Sequence, residues 1–118
     1  MTHDQLHAAC HMWMHNEYPE LRHLFHGNLN NLTSYSDKSK DRIKMSKLQH
    51  LGHCLKGRLD YEFFYQSKLH VFDFKVGKDK LSPHQIEYIK QTEAQGGKGY
   101  EIRSLEQFKD IIHGIIIH

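Results

Sequence analysis

Polar and apolar residues alternate most regularly in the middle of the chain. The stretches Gly57-Arg58-Leu59-Asp60-Tyr61-Glu62-Phe63-Phe64-Tyr65 and Leu69-His70-Val71-Phe72-Asp73-Phe74-Lys75-Val76 are rich in aromatic and β-branched residues. With the polar Gln66-Ser67-Lys68 between them, they predict two strands joined in a hairpin. Side chains two apart on a strand share a face, so Asp60, Glu62 and Phe64 lie together, as do Leu69, Val71, Asp73 and Lys75. A turn centred on Ser67-Lys68 sets Asp60 opposite Lys75 and Glu62 opposite Asp73. Three acids and a lysine then meet on one side of the sheet. A slip of one residue would move one strand's set to the other face.

Helical spacing brackets this hairpin. Residues 4 to 16 predict a first helix, with Asp4 as N-cap and Leu6, Cys10, Trp13 and Met14 on one apolar face, ended or redirected by Pro19. Residues 26 to 37 have the Asn, Gly, Ser and Thr content of a loop. Beyond them, Lys38, Lys40, Arg42, Lys44 and Lys47 lead into Leu48, Leu51 and Leu55, a second helix with an imperfect apolar face. After the hairpin, a basic turn over Gly77 to Lys80 precedes Ser82-Pro83-His84-Gln85, which combines an N-cap serine, a first-position proline and a capping-box glutamine. That helix turns Ile86 and Ile89 inward and stops at Gly96-Gly97. A strand at Tyr100 to Arg103 follows. The last helix opens on a second capping-box pattern, Ser104 to Gln107, and carries Leu105, Phe108, Ile111, Ile112, Ile115 and Ile116 on a face that is core or partly a dimer surface. A strand reached through a crossover helix can pair parallel to the Asp73 strand. The expected fold is therefore α/β, a small mixed sheet made of a hairpin plus a crossover strand, flanked by helices.

Composition narrows the setting. A chain of 118 residues, 38% hydrophobic and 25% charged, suits one soluble globular domain over residues 1 to 118. It has no apolar run of the roughly 20 residues that a membrane helix needs and no signal-peptide core, so the cytoplasm is the expected compartment. Cys10 and Cys54 form no disulfide framework and lack metal-ligand spacing, which suits a reducing environment. A net charge of +2 permits nucleic-acid binding without demanding it. The basic run at Lys38, Lys40, Arg42 and Lys44 could meet phosphates, although a solvated helix face is the simpler explanation of the run by itself.

The acids carry the chemistry. Clustered carboxylates on a half-buried face repel one another and persist where a cation or a base neutralises them. Oxygen donors of this kind suit Mg²⁺ or Mn²⁺, and a neighbouring lysine can hold a water or offset charge on a phosphate. A plain cross-strand ion pair of Asp60 with Lys75 is the simpler alternative.

Asp60, then a hairpin, then Asp73-Phe74-Lys75 resembles the core of the PD-(D/E)xK nucleases, whose fold is restriction-endonuclease-like. The run from Val71 to Gln85, with its strand, acid-x-Lys, basic loop and Ser-Pro-x-Gln helix start, is similar to one branch, the virus-type replication-repair nuclease (VRR-NUC) domain. Gly99-Tyr100-Glu101-Ile102-Arg103-Ser104 with Leu105-Glu106-Gln107-Phe108 looks like that family's late strand and final helix. Trp13 ahead of Tyr18-Pro19-Glu20-Leu21 resembles its first helix and exit. The resemblance implies a metal-dependent deoxyribonuclease acting on branched, junction or flap DNA in phage or bacterial replication, recombination or repair, small and homodimeric. It implies Asp60, Asp73 and the Phe74 carbonyl as ligands to Mg²⁺ or Mn²⁺, Lys75 as the residue that positions or activates water, and Gln85 at the edge of the site, with Lys78 and Lys80 beside the basic helix as DNA contacts. The compartment would be that of a bacterial or phage-infected cell.

The chain departs from the family's pattern in two places. Leu59 stands where the motif has its proline. The glutamate usual near the start of the first helix falls on His3, next to Asp4, which leaves three readings: His3 as an unusual ligand, Asp4 in that role, or a site without the contact. A non-catalytic DNA-binding or assembly protein on a nuclease scaffold is the rival reading. Glu62 is a further candidate from the acid cluster. His3, His7, His11 and His15 recur at every fourth position. One turn apart on a helix, they are either a polar border or a Zn²⁺-binding stripe.

Overall fold

The computed structural model describes residues 1–27 and 59–117. They form a mixed α/β fold: α1 (His3–Glu17), a single 3₁₀ turn (Pro19–Leu21), β1 (Phe25–Gly27), β2 (Tyr61–Tyr65), β3 (Lys68–Phe74), α2 (Pro83–Ala94), β4 (Lys98–Ile102) and α3 (Leu105–Ile117). The sheet order is β1-β2-β3-β4. β1 and β2 are antiparallel, as are β2 and β3, while β4 runs parallel to β3 after the α2 crossover. The basic helix expected over Lys38 to Leu55 and most of the predicted loop lie outside the described residues.

The hairpin forms where the alternation places it, with a different register. Glu62 pairs with Val71, Phe64 with Leu69 and Tyr65 with Lys68, two residues away from the expected pairing. The turn is the two-residue Gln66-Ser67, with φ of 48° and 64°. This is the left-handed conformation of a tight hairpin, usually taken by Asn-Gly. A shift of two preserves the faces, so Asp60 and Asp73 still lie on the same side, and Glu62 is no longer Asp73's partner. β1 was not expected: a three-residue strand opens the segment whose composition predicts a loop, and pairs Phe25 with Phe63.

One face of the sheet carries an aromatic core. Tyr61, Phe63, Phe72 and Phe74 are at most 1% exposed and meet Leu6, Cys10 and Met14 of α1 and Phe108 and Ile112 of α3. Phe108 is central, with ring centroids 5.3 Å from Phe72, 6.0 Å from Tyr61 and 6.1 Å from Phe74. Each such ring contributes on the order of 1.5–3 kcal/mol through burial. The α1 stripe is set by spacing of four, and its N-cap is Thr2 in a capping box with Gln5, with Asp4 in the first turn.

α2 covers the other face. Its capping box is the one the sequence predicts, Ser82 with Gln85. Ile89 points inward at Gly99, where a β-carbon would come within 2.6 Å of the isoleucine side chain; glycine lets the helix lie directly on β4. Ile86, expected inside, is 53% exposed. On α3, the Gln107 amide donates its backbone hydrogen to Ser104 Oγ. The Gln107 side chain reaches Arg103 N and Glu101 O instead of closing a reciprocal box.

Candidate active site at the end of β3

Both faces of β3 are covered, so an acid even near its C-terminal end is enclosed. Asp73 is fully buried and Asp60 nearly so. Asp60 sits one residue before β2, where its Oδ2 accepts a 2.9 Å hydrogen bond from Phe74 N. The carboxylate thus finishes the ladder between the two strands. Lys75 N continues the β3–β4 ladder to Ile102 O, which holds Lys75 on the Asp73 side of the strand. Lys75 Nζ lies 2.7 Å from Asp73 Oδ2, and Gln85 Nε2 donates to Asp73 Oδ1 at 3.1 Å. Asp73 Oδ2 is sealed from solvent and has no donor aligned for a hydrogen bond.

At the helix-one position it is His3 that stands against Asp60. Its Nε2 is 2.9 Å from Asp60 Oδ2, and its Nδ1 is 3.4 Å from Asp4 Oδ1. Asp4 itself is fully exposed and directed at His3. Burial lowers the His3 pKa, but the carboxylates on both ring nitrogens outweigh it, and the net shift is upward. When protonated, the imidazole is a counter-charge to Asp60.

The two carboxyls are shifted in opposite directions. Burial alone would raise Asp60, yet the Phe74 N–H, His3 and Asp73 bring it below the usual range. Burial and the neighbouring Asp60 charge push Asp73 up to about 6 against the pull of Lys75. Two acids in contact cannot both ionise cheaply.

Other candidates fall elsewhere. Glu62 lies on the Asp60 face but turns toward β1, where its Oε1 is 3.0 Å from His26 Nδ1 and its side chain is 17% exposed. Lys78 and Lys80 are exposed on the turn after β3. The sequence gives no hint of what fixes that turn, which is Arg103: its guanidinium donates to the carbonyls of Gly77 and Asp79 while Nε pairs with Glu101. Lys38, Lys40, Arg42 and Lys44 lie outside the described residues. The histidine stripe is partly drawn into packing. His7 stacks on Phe74 at 4.8 Å and His11 Nδ1 bonds Tyr61 OH at 2.9 Å, while burial lowers both pKa values.

Among the described residues, no three His, Cys, Asp or Glu side chains stand where they could together hold a metal ion. The set implied by the resemblance has two carboxylates and one main-chain carbonyl, a donor type that suits Mg²⁺ or Mn²⁺ with water completing the shell. Asp73 Oδ2 already carries the Lys75 ammonium at 2.7 Å and Asp60 Oδ2 the His3 ring at 2.9 Å, so the feature that fits a cation at this end of β3 is the donor set itself, two adjacent buried carboxylates. No family model, curated protein or solved structure matches the chain.

Proposed function

We propose that the protein is a Mg²⁺- or Mn²⁺-dependent endonuclease that hydrolyses DNA phosphodiester bonds, selective for branched, junction or flap structures, with a restriction-endonuclease-like core of the VRR-NUC type. The observation that carries this reading is Asp73: a wholly buried acid with a lysine on one oxygen, a glutamine on the other and a second acid in contact. Even paired with Lys75, a buried acid gives up several kcal/mol of hydration that its partner need not repay, which supports a role for Asp73 beyond packing.

Asp60, Asp73 and the Phe74 carbonyl would hold the ion, which when bound lowers the pKa of a coordinated water and offsets phosphate charge. Gln85 fixes the rotamer of Asp73, and the Phe74 N–H fixes that of Asp60. Lys75 is only 15% exposed at its side chain, so its ammonium is held where it can orient a water or meet a phosphate oxygen. Lys78 and Lys80 on the Arg103-braced turn offer sequence-independent phosphate contacts. Homodimerisation would widen the DNA-binding surface.

A second reading follows from His3. With an imidazole paired to Asp60 in place of an acid, the scaffold could bind DNA without turnover. Cleavage of supercoiled plasmid, a four-way junction and a flap, with Mg²⁺, Mn²⁺ or EDTA, separates the two. The nuclease cuts with metal and Asp73→Ala does not. If neither protein cuts while junction binding persists, the non-catalytic reading replaces it.

A further inference from the structure

A second cluster lies at the other end of β3, about 16 Å along the strand from Asp73 and on the opposite face. There an open cavity of about 490 Å³ separates the sheet from α3, within the range of small-ligand sites. The ladder dictates its floor. Tyr65 pairs with Lys68, and His70 with Lys98, so Lys68, His70, Lys98 and Tyr100 project from the same side, with Tyr65 at the margin. Asp110 stands across from them on α3, beside Ile111 and Ile115.

Three features mark this as more than a surface depression. Among the described residues, neither Lys68 nor Lys98 is in an ion pair; Lys98 Nζ lies 5.6 Å over the Tyr100 ring, and both ammonium groups line one cavity that also holds Asp110. His70 is buried, and its Nδ1 is 2.9 Å from Tyr100 OH, which leaves Nε2 as the ring's remaining polar atom. Both lysines add to burial in driving the His70 pKa down to about 4, which places their charge close to the imidazole. Tyr65 stacks on Phe63 with centroids 5.3 Å apart, and so presents a ring already held in place.

We propose that this cavity binds a nucleoside monophosphate, with the phosphate between Lys68 and Lys98, the base against Tyr65 and the isoleucines of α3, and Asp110 accepting from an amino group of the base. Two cations, an apolar and aromatic wall and a single acid in one cavity match the chemical groups of such a ligand. The site stands apart from the acid cluster, and its existence does not depend on nuclease activity.

The test is titration of the full chain with AMP, adenosine and inorganic phosphate, followed by calorimetry and by amide chemical shifts. AMP should bind saturably and at least about tenfold more tightly than either fragment. The shifts should centre on Lys68, His70, Lys98 and Tyr100. Lys68→Gln with Lys98→Gln, both at exposed positions, should weaken AMP by about tenfold or more, with circular dichroism unchanged. Asp110→Asn should weaken it less. No saturable binding at millimolar AMP, equal affinity in the double variant, or shifts centred on Asp73 and Lys75 would each overturn the proposal.

Discussion

Asp73 and His70 lie three residues apart on one strand, on opposite faces, and burial pushes each toward its uncharged form by a different route. Asp73 is driven up to about 6 and His70 down to about 4. The acid is buried among groups that argue over its charge: a lysine favours it, a second acid opposes it, and one oxygen has no aligned donor. The histidine is buried among groups that agree, with aromatic rings on its faces, a phenol on Nδ1 and two lysines opposing protonation. A site that settles its charge internally is built for stability or for a ligand that brings charge. One that leaves it unsettled is where we propose a cation binds.

That contrast can be broken at either end, and the largest effect is expected at the acid. Asp73→Asn keeps the shape and removes the charge conflict. Metal-dependent cleavage should fall by about a thousandfold or more, while thermal unfolding stays near the wild-type temperature or rises. A steep loss of stability would mean that Asp73 is structural.

The histidine end predicts an acid-side loss of stability. Above pH 6.5 both folded and unfolded His70 are neutral and the contribution vanishes. As pH falls from 6.5 towards 4, the unfolded chain takes up a proton that the folded chain refuses, so stability drops; below about 4 the loss levels off. At pH 4.5 it amounts to about 2.5 kcal/mol. Urea melts of wild type and His70→Phe at pH 7 and 4.5 isolate it from the carboxyls, because the variant should lack this increment. Equal pH dependence in both proteins would place His70 in a wetter environment than its burial indicates.

Two smaller changes act on one face at a time. Gly99→Ala drives a methyl group against Ile89 and should cost about 1–3 kcal/mol in denaturant melts. Because α2 carries Gln85, it should also reduce cleavage while leaving AMP binding at the other face intact. Ser67→Gly relieves a left-handed residue at the hairpin tip and should add about 1 kcal/mol.

Much of this was legible in the sequence, for physical reasons that differ by element. Alternation revealed β2 and β3, and Ser82 with Gln85 announced α2, because local chemistry decides both. The register escaped because Gln66 and Ser67 adopt a turn conformation for which neither residue is a usual choice, so composition placed the turn's centre one residue late. β1 escaped because three residues carry no period. At the acid end, alternation placed Asp60 and Asp73 on one face, and the family resemblance pointed to His3 through its distance from Trp13; the structure sets His3 2.9 Å from Asp60. The lysine-lined cavity was invisible, since Lys68 and Lys98 become neighbours only through the parallel pairing of β3 with β4.

The most direct test of the central claim is Mn²⁺ titration of the full chain by calorimetry, comparing wild type, Asp73→Asn and the Lys68→Gln, Lys98→Gln double variant. If the acid end of β3 is a cation site, wild type and the double variant bind Mn²⁺ alike, and Asp73→Asn binds at least about tenfold more weakly. Undiminished Mn²⁺ affinity in Asp73→Asn would contradict the account.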